Sequence, residues 1–197
     1  MYYPLIKRRD SYKKTRGGTN YANYREYFTE IAEDCQYRCV YCDISLKEDG
    51  GEGMQLDHFR PQKHFPQLAT SPENLVLSCA KCNVLKSEHW PKSSDLNIQF
   101  LDHFSIPRLN HFPVRNNGEI SPSCLSSGYM VDLMSLNRKS RCLIRRTRRL
   151  KQQAELTLIA IEDELINFEN SPHPNPPQRL KELAEALSSI RDLISAI

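Results

Sequence analysis

Residues 54–86 read MQLDHFRPQKHFPQLATSPENLVLSCAKCNVLK, and the chain's clearest structural signals lie in and around this stretch. MQLDHF is a candidate for a short strand, and the alternating, valine-containing run NLVLSC predicts a second strand. The following run, CAKCNVLKSEHW, turns and enters a helix. Together with a helical C-terminal third, this order of elements predicts an α+β fold.

Two C-x-x-C pairs, Cys39/Cys42 and Cys79/Cys82, are separated by 36 residues. A C-x-x-C turn presents two thiolates to one ion, and two such turns complete a tetrahedral zinc site that is closed to solvent. A metal that closes so long a loop would stabilise a small fold with a modest core. The alternative is four unrelated buried cysteines, but the doubled spacing favours a structural zinc.

The remaining cysteines and the N-terminal residues indicate in which cellular compartment the protein is expected. Cys35 either competes for the metal or packs as a small apolar residue, and Cys124 and Cys142 have no paired spacing. This usage favours metal binding over disulfides in a reducing compartment. MYYPLIKRRD lacks the order of a secretory signal, and no run approaches the ~18 apolar residues of a membrane span. We therefore expect a cytoplasmic protein without a membrane partner.

Between the cysteine pairs lie residue types that suit phosphodiester hydrolysis. Asp57 and Asn83 offer a carboxylate and an amide oxygen, which are hard ligands for magnesium or manganese. His58 offers an imidazole, which in its neutral form can take a proton from water at cellular pH. Hydrolysis needs both a cation on the phosphate and an activated water.

The motifs DHFRP, ENLVLSC and CxxCNxxK, in this order and with flanking C-x-x-C pairs, resemble the HNH (ββα-metal) endonuclease family over residues 35–92. The resemblance implies that His58 is the general base and that Asp57 and Asn83 hold the catalytic cation. Asn74 would brace the loop between the strands and so orient the base. Asn replaces the third letter of the HNH name here, which shifts the expectation toward magnesium or manganese.

Each of these residues also has a simpler interpretation. Asp57 and Asn83 could cap a turn and a helix, His58 could be an ordinary core or surface histidine, and Asn74 could be a turn asparagine. Arg60 and Lys86 are candidate phosphate contacts, although basic surface residues are common.

The net charge of +3 conceals two basic segments. Residues 1–16 hold six Lys/Arg and one acid, and residues 138–151 hold eight Lys/Arg and no acid. Such segments suggest a polyanion partner, here DNA, or else a solvated helix face. Within the second segment, the predicted nucleic-acid contacts are Arg145, Arg146, Arg148 and Arg149.

The chain divides by pattern into four segments. The C-terminal one carries an apolar seam that predicts either a helical hairpin or docking, through self-association or onto another protein. The segments are a basic and aromatic arm (1–18), a nuclease core with zinc knuckles (19–109), a hairpin and connection (110–137), and a helical hairpin (138–197).

The sequence thus predicts a small zinc-stapled ββα-metal core with a mostly α-helical C-terminal extension. Its predicted function is metal-dependent cleavage of DNA with low sequence specificity. A non-catalytic, zinc-stapled nucleic-acid-binding module is the alternative. The size and seam also resemble the small HNH subunits that pair with ATPases in Septu-type and retron-associated anti-phage systems, which implies an ATPase partner.

Overall fold

The computed structural model of the protein describes residues 4–50, 53–92, 98–168 and 176–196. The chain divides into two compact units, Tyr2–Ile144 and Arg145–Ile197. Among the described helices, none has both the length and the apolar character needed to cross a bilayer. The elements are α1 (Phe28–Asp34), β1 (Met54–His58), β2 (Leu75–Cys79), α2 (Ala80–Lys86), α3 (Arg108–His111), α4 (Leu125–Leu133), α5 (Lys139–Phe168) and α6 (Pro176–Ala196).

The centre of the first unit is a two-stranded antiparallel sheet followed directly by a helix. In the register of β1 and β2, Leu56 lies opposite Leu77 and His58 lies opposite Leu75. Every residue of β2 is buried, as its apolar sequence requires, and α2 begins at the next residue. The predicted α+β class and the strand–strand–helix core are confirmed.

Helix α1 covers the sheet. Tyr27, at the end of a 3-10 turn (Tyr24–Tyr27), and Ile31 of α1 are fully buried, and α1 packs on β2. The helical spacing of Tyr24, Tyr27, Phe28 and Ile31 predicts a helix over residues 21–33, and the structure has a 3-10 turn and a shorter α-helix there. Tyr24 and Phe28 remain partly exposed.

The sequence predicts an arm at residues 1–18, but the described part of this segment packs against the core. Tyr12 is buried, and its hydroxyl donates to Asp34 at 2.7 Å. The Arg9 guanidinium bonds the carboxylates of Glu33 at 2.8 Å and Asp34 at 2.9 Å. Because Arg9 neutralises acids of α1, it is not an extended contact for nucleic acid.

The connection at residues 110–137 also differs from expectation. The predicted hairpin is reduced to one bridge between Val114 and Ile120, and its turn contains Gly118 with a φ of 86°. The helix α4, which the sequence did not predict, begins after Cys124.

The second unit contains most of α5 and all of α6. Ala154 and Ile161 are buried on α5, and Leu183 is buried on α6. The Arg179 guanidinium pairs with the Glu164 carboxylate at 2.7 Å and so joins the two helices. Ile197, the last residue of the predicted seam, lies outside the described residues. The segment boundaries given above stay predictions.

Candidate active site and cysteine cluster

The sulfur atoms of Cys39, Cys42, Cys79 and Cys82 lie within 4.8 Å of one another, and all four side chains are buried. The first pair lies in the turns that follow α1. The second pair flanks the junction of β2 and α2. The two C-x-x-C turns are thus brought to one point by the sheet, as the sequence predicted.

The geometry of this cysteine cluster fits a tetrahedral zinc ion. A Zn–S bond of ~2.3 Å implies sulfur–sulfur edges of ~3.8 Å, and Cys42 Sγ lies 3.8 Å from Cys79 Sγ. Burial raises the pKa of the Cys39 thiol, whereas hydrogen bonding from that thiol lowers the pKa of Cys79. Four such thiols cannot all ionise in a buried site without a cation, so the donor set suits a structural zinc.

Two arginines adjoin the cysteine cluster. A guanidinium nitrogen of Arg138 lies 3.8 Å from Cys79 Sγ and 3.6 Å from Cys82 Sγ. A nitrogen of Arg141, whose side chain is buried, lies 3.9 Å from Cys79 Sγ. Two residues of the basic segment 138–151 therefore face sulfur, where they favour the thiolate form.

Cys35 packs beside the cluster without joining it. Its sulfur accepts the main-chain N–H of Leu77 at 3.3 Å, and burial raises its pKa to about 11. This environment keeps the thiol neutral, and Cys35 is a packed residue rather than a fifth ligand.

His58 ends β1 and is largely buried. Its Nε2 lies 2.8 Å from the main-chain oxygen of Ala69. Because a carbonyl oxygen only accepts hydrogen bonds, Nε2 carries the proton, and the lone pair of the neutral ring is on Nδ1. The Tyr24 ring packs edge-on against the imidazole, with centroids 4.7 Å apart. The ring is thus held at one nitrogen and on one face.

Asp57 precedes His58 on β1, and its carboxylate has two protein partners. The Tyr41 hydroxyl donates to Oδ2 at 2.6 Å, and Lys86 Nζ lies 3.2 Å from Oδ1 and 3.1 Å from Oδ2. Burial raises the pKa of Asp57, and the charge of Lys86 opposes that change. The carboxylate is therefore fixed in orientation.

Lys86 does not lie where the sequence predicted. Its side chain is fully buried, and Nζ also donates to the main-chain oxygen of His58 at 2.7 Å. Burial lowers the pKa of this lysine. A fully buried ammonium that bridges α2 to β1 cannot act as a surface contact to phosphate, so that prediction is wrong.

Asn83 lies on the first turns of α2, directly after the zinc cysteine Cys82. Its Nδ2 donates to Gln55 Oε1 at 2.8 Å, which directs the amide nitrogen away and leaves Oδ1 as the acceptor. Asp57, His58 and Asn83 line one cavity of about 310 Å³, called the catalytic cavity below. A carboxylate and an amide oxygen beside an imidazole are a donor set that fits a hard divalent cation.

Asn74 connects the two ends of the loop between the strands. Its Oδ1 accepts the Arg60 N–H at 2.9 Å, and its Nδ2 donates to the Arg60 and Leu68 carbonyls at 3.0 and 3.4 Å. Leu68 precedes Ala69, whose carbonyl accepts from His58. The arrangement suits the bracing role expected of Asn74, and that role stays a prediction.

The other predicted nucleic-acid contacts are spread over the chain. Arg60 is exposed on the loop after β1, and its guanidinium lies 5.6 Å from the Phe65 ring centroid. Arg146 is exposed on α5, whereas Arg145 is buried and therefore differs from the predicted surface contact. Arg148 and Arg149 are partly exposed.

Sequence reasoning missed several groups at these sites. Tyr41 lies between two zinc cysteines, and nothing in its spacing indicates a bond to Asp57. The i,i+3 spacing of Arg138 and Arg141 indicates that they share a helix face, but it does not indicate the sulfur atoms nearby. Tyr24 lies outside the motif region, and only the structure brings it to His58.

Comparison with known proteins agrees with this geometry. Residues 39–89 match the HNH endonuclease family. Over 111 residues, or 56% of this chain, the sequence is 30% identical to the Septu protein PtuB of Bacillus thuringiensis and covers 41% of that protein. Over 60 residues, or 30% of this chain, it is 33% identical to protein ea31 of Escherichia phage lambda and covers 19% of it.

The chain therefore spans less than half the length of either relative. The matched segment contains the four clustered cysteines and the three side chains that line the catalytic cavity. The segment 39–89 is thus the part of the chain that is similar to HNH endonucleases.

Proposed function

We propose that the protein is a metal-dependent endonuclease that hydrolyses DNA phosphodiester bonds. One observation carries the proposal: Asp57, His58 and Asn83 line the same cavity, and the hydrogen bond to Ala69 leaves His58 Nδ1 as the basic nitrogen. A base beside two hard ligands is the minimum set for hydrolysing a phosphodiester.

His58 acts as the general base in this mechanism. Nδ1 accepts a proton from a water molecule that attacks the phosphorus in line with the leaving 3′ oxygen, which leaves 5′-phosphate and 3′-hydroxyl ends. The Ala69 carbonyl, which accepts from Nε2, stabilises the imidazolium that forms. The edge-on Tyr24 ring limits rotation of the imidazole.

Asp57 and Asn83 would hold a magnesium or manganese ion. Such an ion, when bound, stabilises negative charge on the scissile phosphate and on the leaving oxygen. Tyr41 and Lys86 fix the orientation of the Asp57 carboxylate by direct hydrogen bonds. Gln55 accepts from the Asn83 amide nitrogen, so that the amide oxygen is the ligand atom.

The basic residues on α5 support contact with the DNA backbone. Arg146 is exposed, and Arg148 and Arg149 are partly exposed, so these three are the proposed phosphate contacts of the helix, with Arg60 near the catalytic cavity. Phosphate contacts carry no sequence information, which favours low sequence specificity.

The similarity to the Septu protein PtuB supports a role in anti-phage defence, whereas the ATPase partner is proposed from the sequence resemblance alone. The sequence resemblance to small HNH subunits of Septu-type systems points the same way. Co-purification with an ATPase encoded nearby, giving a stable complex, is the expected result. Full activity of the isolated chain, unchanged by the ATPase, would argue against an obligate partnership.

A plasmid-nicking assay with His58→Ala tests the nuclease. With magnesium, the wild type should nick supercoiled DNA, and His58→Ala should lower the rate by about 10²- to 10⁴-fold, the usual contribution of a general base. His64→Ala, which alters an exposed histidine outside the catalytic cavity, is the matched control. Zinc content and thermal midpoint should be the same in all three proteins. Equal nicking by His58→Ala would refute the base assignment.

The second candidate is a non-catalytic nucleic-acid-binding module. It is favoured by the Lys86 ammonium, which neutralises Asp57 within the protein and so competes with a divalent cation. Magnesium-independent DNA binding, without nicking of any substrate form, would support this candidate over the nuclease.

A further inference from the structure

A second cavity, of about 520 Å³, adjoins the catalytic cavity and shares part of its wall. Tyr24, Leu56 and Asn83 line both cavities, which therefore adjoin along β1 and are together called the groove below. The residues that line only this second cavity are Arg25, Phe28, Met54 and Gln55.

The outer wall of this groove combines aromatic rings with a cation. Tyr24 and Phe28 are four residues apart, and Phe28 is 40% exposed, so part of its ring is accessible from the groove. The exposed Arg25 guanidinium lies 5.9 Å from the Tyr24 ring centroid. Among the described residues that line this cavity, none carries a carboxylate.

The rings of Tyr24 and Phe28 are held in place because the opposite side of the 3-10 turn and α1 is buried. Tyr27 and Ile31 are fully buried, so the backbone of the 3-10 turn and α1 is anchored in the core. Tyr24 and Phe28 are consequently presented to the groove by a fixed support, rather than by a loop. This segment lies outside the matched HNH region, residues 39–89.

Another aromatic cavity of the protein differs in charge. Phe59, Trp90 and Phe100 line a cavity of about 500 Å³, but among its described lining residues Glu73 and Asp102 accompany the one cation, Arg60. Two carboxylates against one guanidinium make this cavity less favourable for a phosphate than the groove beside Arg25. The groove beside Tyr24 is therefore the better site for a nucleotide.

We propose that Tyr24, Arg25 and Phe28 form a subsite for one unpaired nucleotide next to the scissile phosphate. The proposal rests on the proposed nuclease function and adds the substrate class, which is nucleic acid with an unstacked base at the cleavage point. Phe28 stacks on the base, and Arg25 contacts the adjoining phosphate. Aromatic platforms with cationic neighbours are the usual means of binding unpaired bases.

Binding measured without catalysis tests the subsite. In a His58→Ala background without magnesium, fluorescence anisotropy reports the affinity for a labelled single-stranded oligonucleotide. Phe28→Leu, which keeps an apolar side chain but removes the ring, should weaken binding about 10- to 100-fold. Phe28→Tyr should bind as tightly as the parent, and Leu109→Ala, at an exposed leucine on α3, should have no effect. Equal binding by Phe28→Leu would overturn the proposal.

A substrate change distinguishes stacking from a structural effect. An abasic site placed in turn at each position next to the cleavage point should weaken binding to the parent protein at one position only. Combined with Phe28→Leu, the same abasic site should cause no further loss, because the two changes remove one interaction. Additive losses would overturn the assignment of Phe28, since the base would then have another partner.

Arg25→Gln provides an independent variant. It should reduce the slope of log affinity against log salt by about 0.7, the value for one phosphate of a single strand. An unchanged slope would contradict the phosphate contact. Ring-dependent binding without cleavage would separate failure of the nuclease proposal from failure of the subsite.

Discussion

The cysteine cluster and the catalytic cavity are built by the same short segment, yet their physical characters are opposite. The cluster is buried and supplies four identical ligands, which fill the coordination shell of a tetrahedral ion. The catalytic cavity is open, and the proposed oxygen ligands and the proposed base line it. The first arrangement suits a structural role, and the second suits the binding of a substrate.

The two sites are joined at α2. Cys82 belongs to the cluster, and the next residue, Asn83, lines the catalytic cavity. One turn later, Lys86 bonds Asp57 and the main-chain oxygen of His58. The start of α2, which carries a cluster cysteine, therefore sets the positions of the groups to which we assign the proposed chemistry. The geometry of the cavity should therefore depend on the cluster, whereas the cluster should not depend on the cavity, because none of its four ligands comes from it.

Removing one cluster ligand should have the largest effect. Cys79→Ser should abolish stoichiometric zinc binding and unfold the unit Tyr2–Ile144, because structural zinc contributes ~10 kcal/mol or more of folding free energy. That contribution is comparable with the whole stability of a domain, ~5–15 kcal/mol. Zinc analysis and far-UV circular dichroism measure the two results, and nicking should be lost with the fold.

Cys124→Ser is the matched control for this prediction. Cys124 is exposed, lies outside the cluster and caps α4, a position that serine fills well. It should retain zinc, fold and activity. A folded and active Cys79→Ser protein without zinc would show that the cavity does not depend on the cluster.

The order of elements in this core could be predicted because its signals are local. The strands β1, which contains Asp57, and β2 (Leu75–Cys79) have apolar patterns of the right length, and the C-x-x-C pairs show which chain segments converge. The residue types of Asp57, His58 and Asn83 also indicate the predicted chemistry, which is metal binding by two oxygen ligands beside a base. These features depend on residues close together in sequence.

The partners of those residues could not be predicted, because they come from distant parts of the chain. Lys86 looked like a surface cation, but its helix is short and its side chain is directed inward to Asp57. Tyr24 reaches His58 from a segment with no recognised motif. Basic residues are ambiguous in sequence, since Arg9 and Arg141 meet acids and sulfur within the protein rather than a ligand.

An intermediate effect is expected from Asn74→Ala, which alters the cavity and spares the cluster. The buried amide makes three hydrogen bonds to the loop that carries the Ala69 carbonyl. Its loss should cost about 2 kcal/mol of stability, since loop groups lose their partners. The nicking rate should fall about tenfold or more, because His58 loses a fixed acceptor, and zinc binding should not change.

Urea unfolding and single-turnover nicking measure these quantities, with Asn110→Ala, at an exposed asparagine, as the control. Asn74→Asp keeps the acceptor for the Arg60 N–H but places a buried carboxylate oxygen against the Arg60 and Leu68 carbonyls, so its stability should be no higher than that of Asn74→Ala. If Asn74→Ala lowered stability but left the nicking rate unchanged, the residue would be structural and would have no bracing role for the base.

The smallest effect is expected where the cluster meets α5. Four thiolates around a zinc ion carry a net charge of about −2, and the guanidinium groups of Arg138 and Arg141 lie 3.6–3.9 Å from two of the sulfurs. Arg138→Gln or Arg141→Gln should each weaken zinc binding about tenfold, or ~1.5 kcal/mol, the usual contribution of a hydrogen bond to a charged group. Titration with a competing chelator measures this change.

Arg146→Gln separates a local contact from the general charge of the segment, because Arg146 is exposed on the same helix. It should leave zinc affinity unchanged and weaken DNA binding. Arg141→Gln should weaken zinc binding and leave DNA binding unchanged. Lysine at position 141 should recover part of the zinc affinity, since it keeps the charge but loses the forked geometry. Equal zinc affinity in all these variants would mean that the basic segment does not contribute to zinc binding, and that the four sulfurs alone retain the metal.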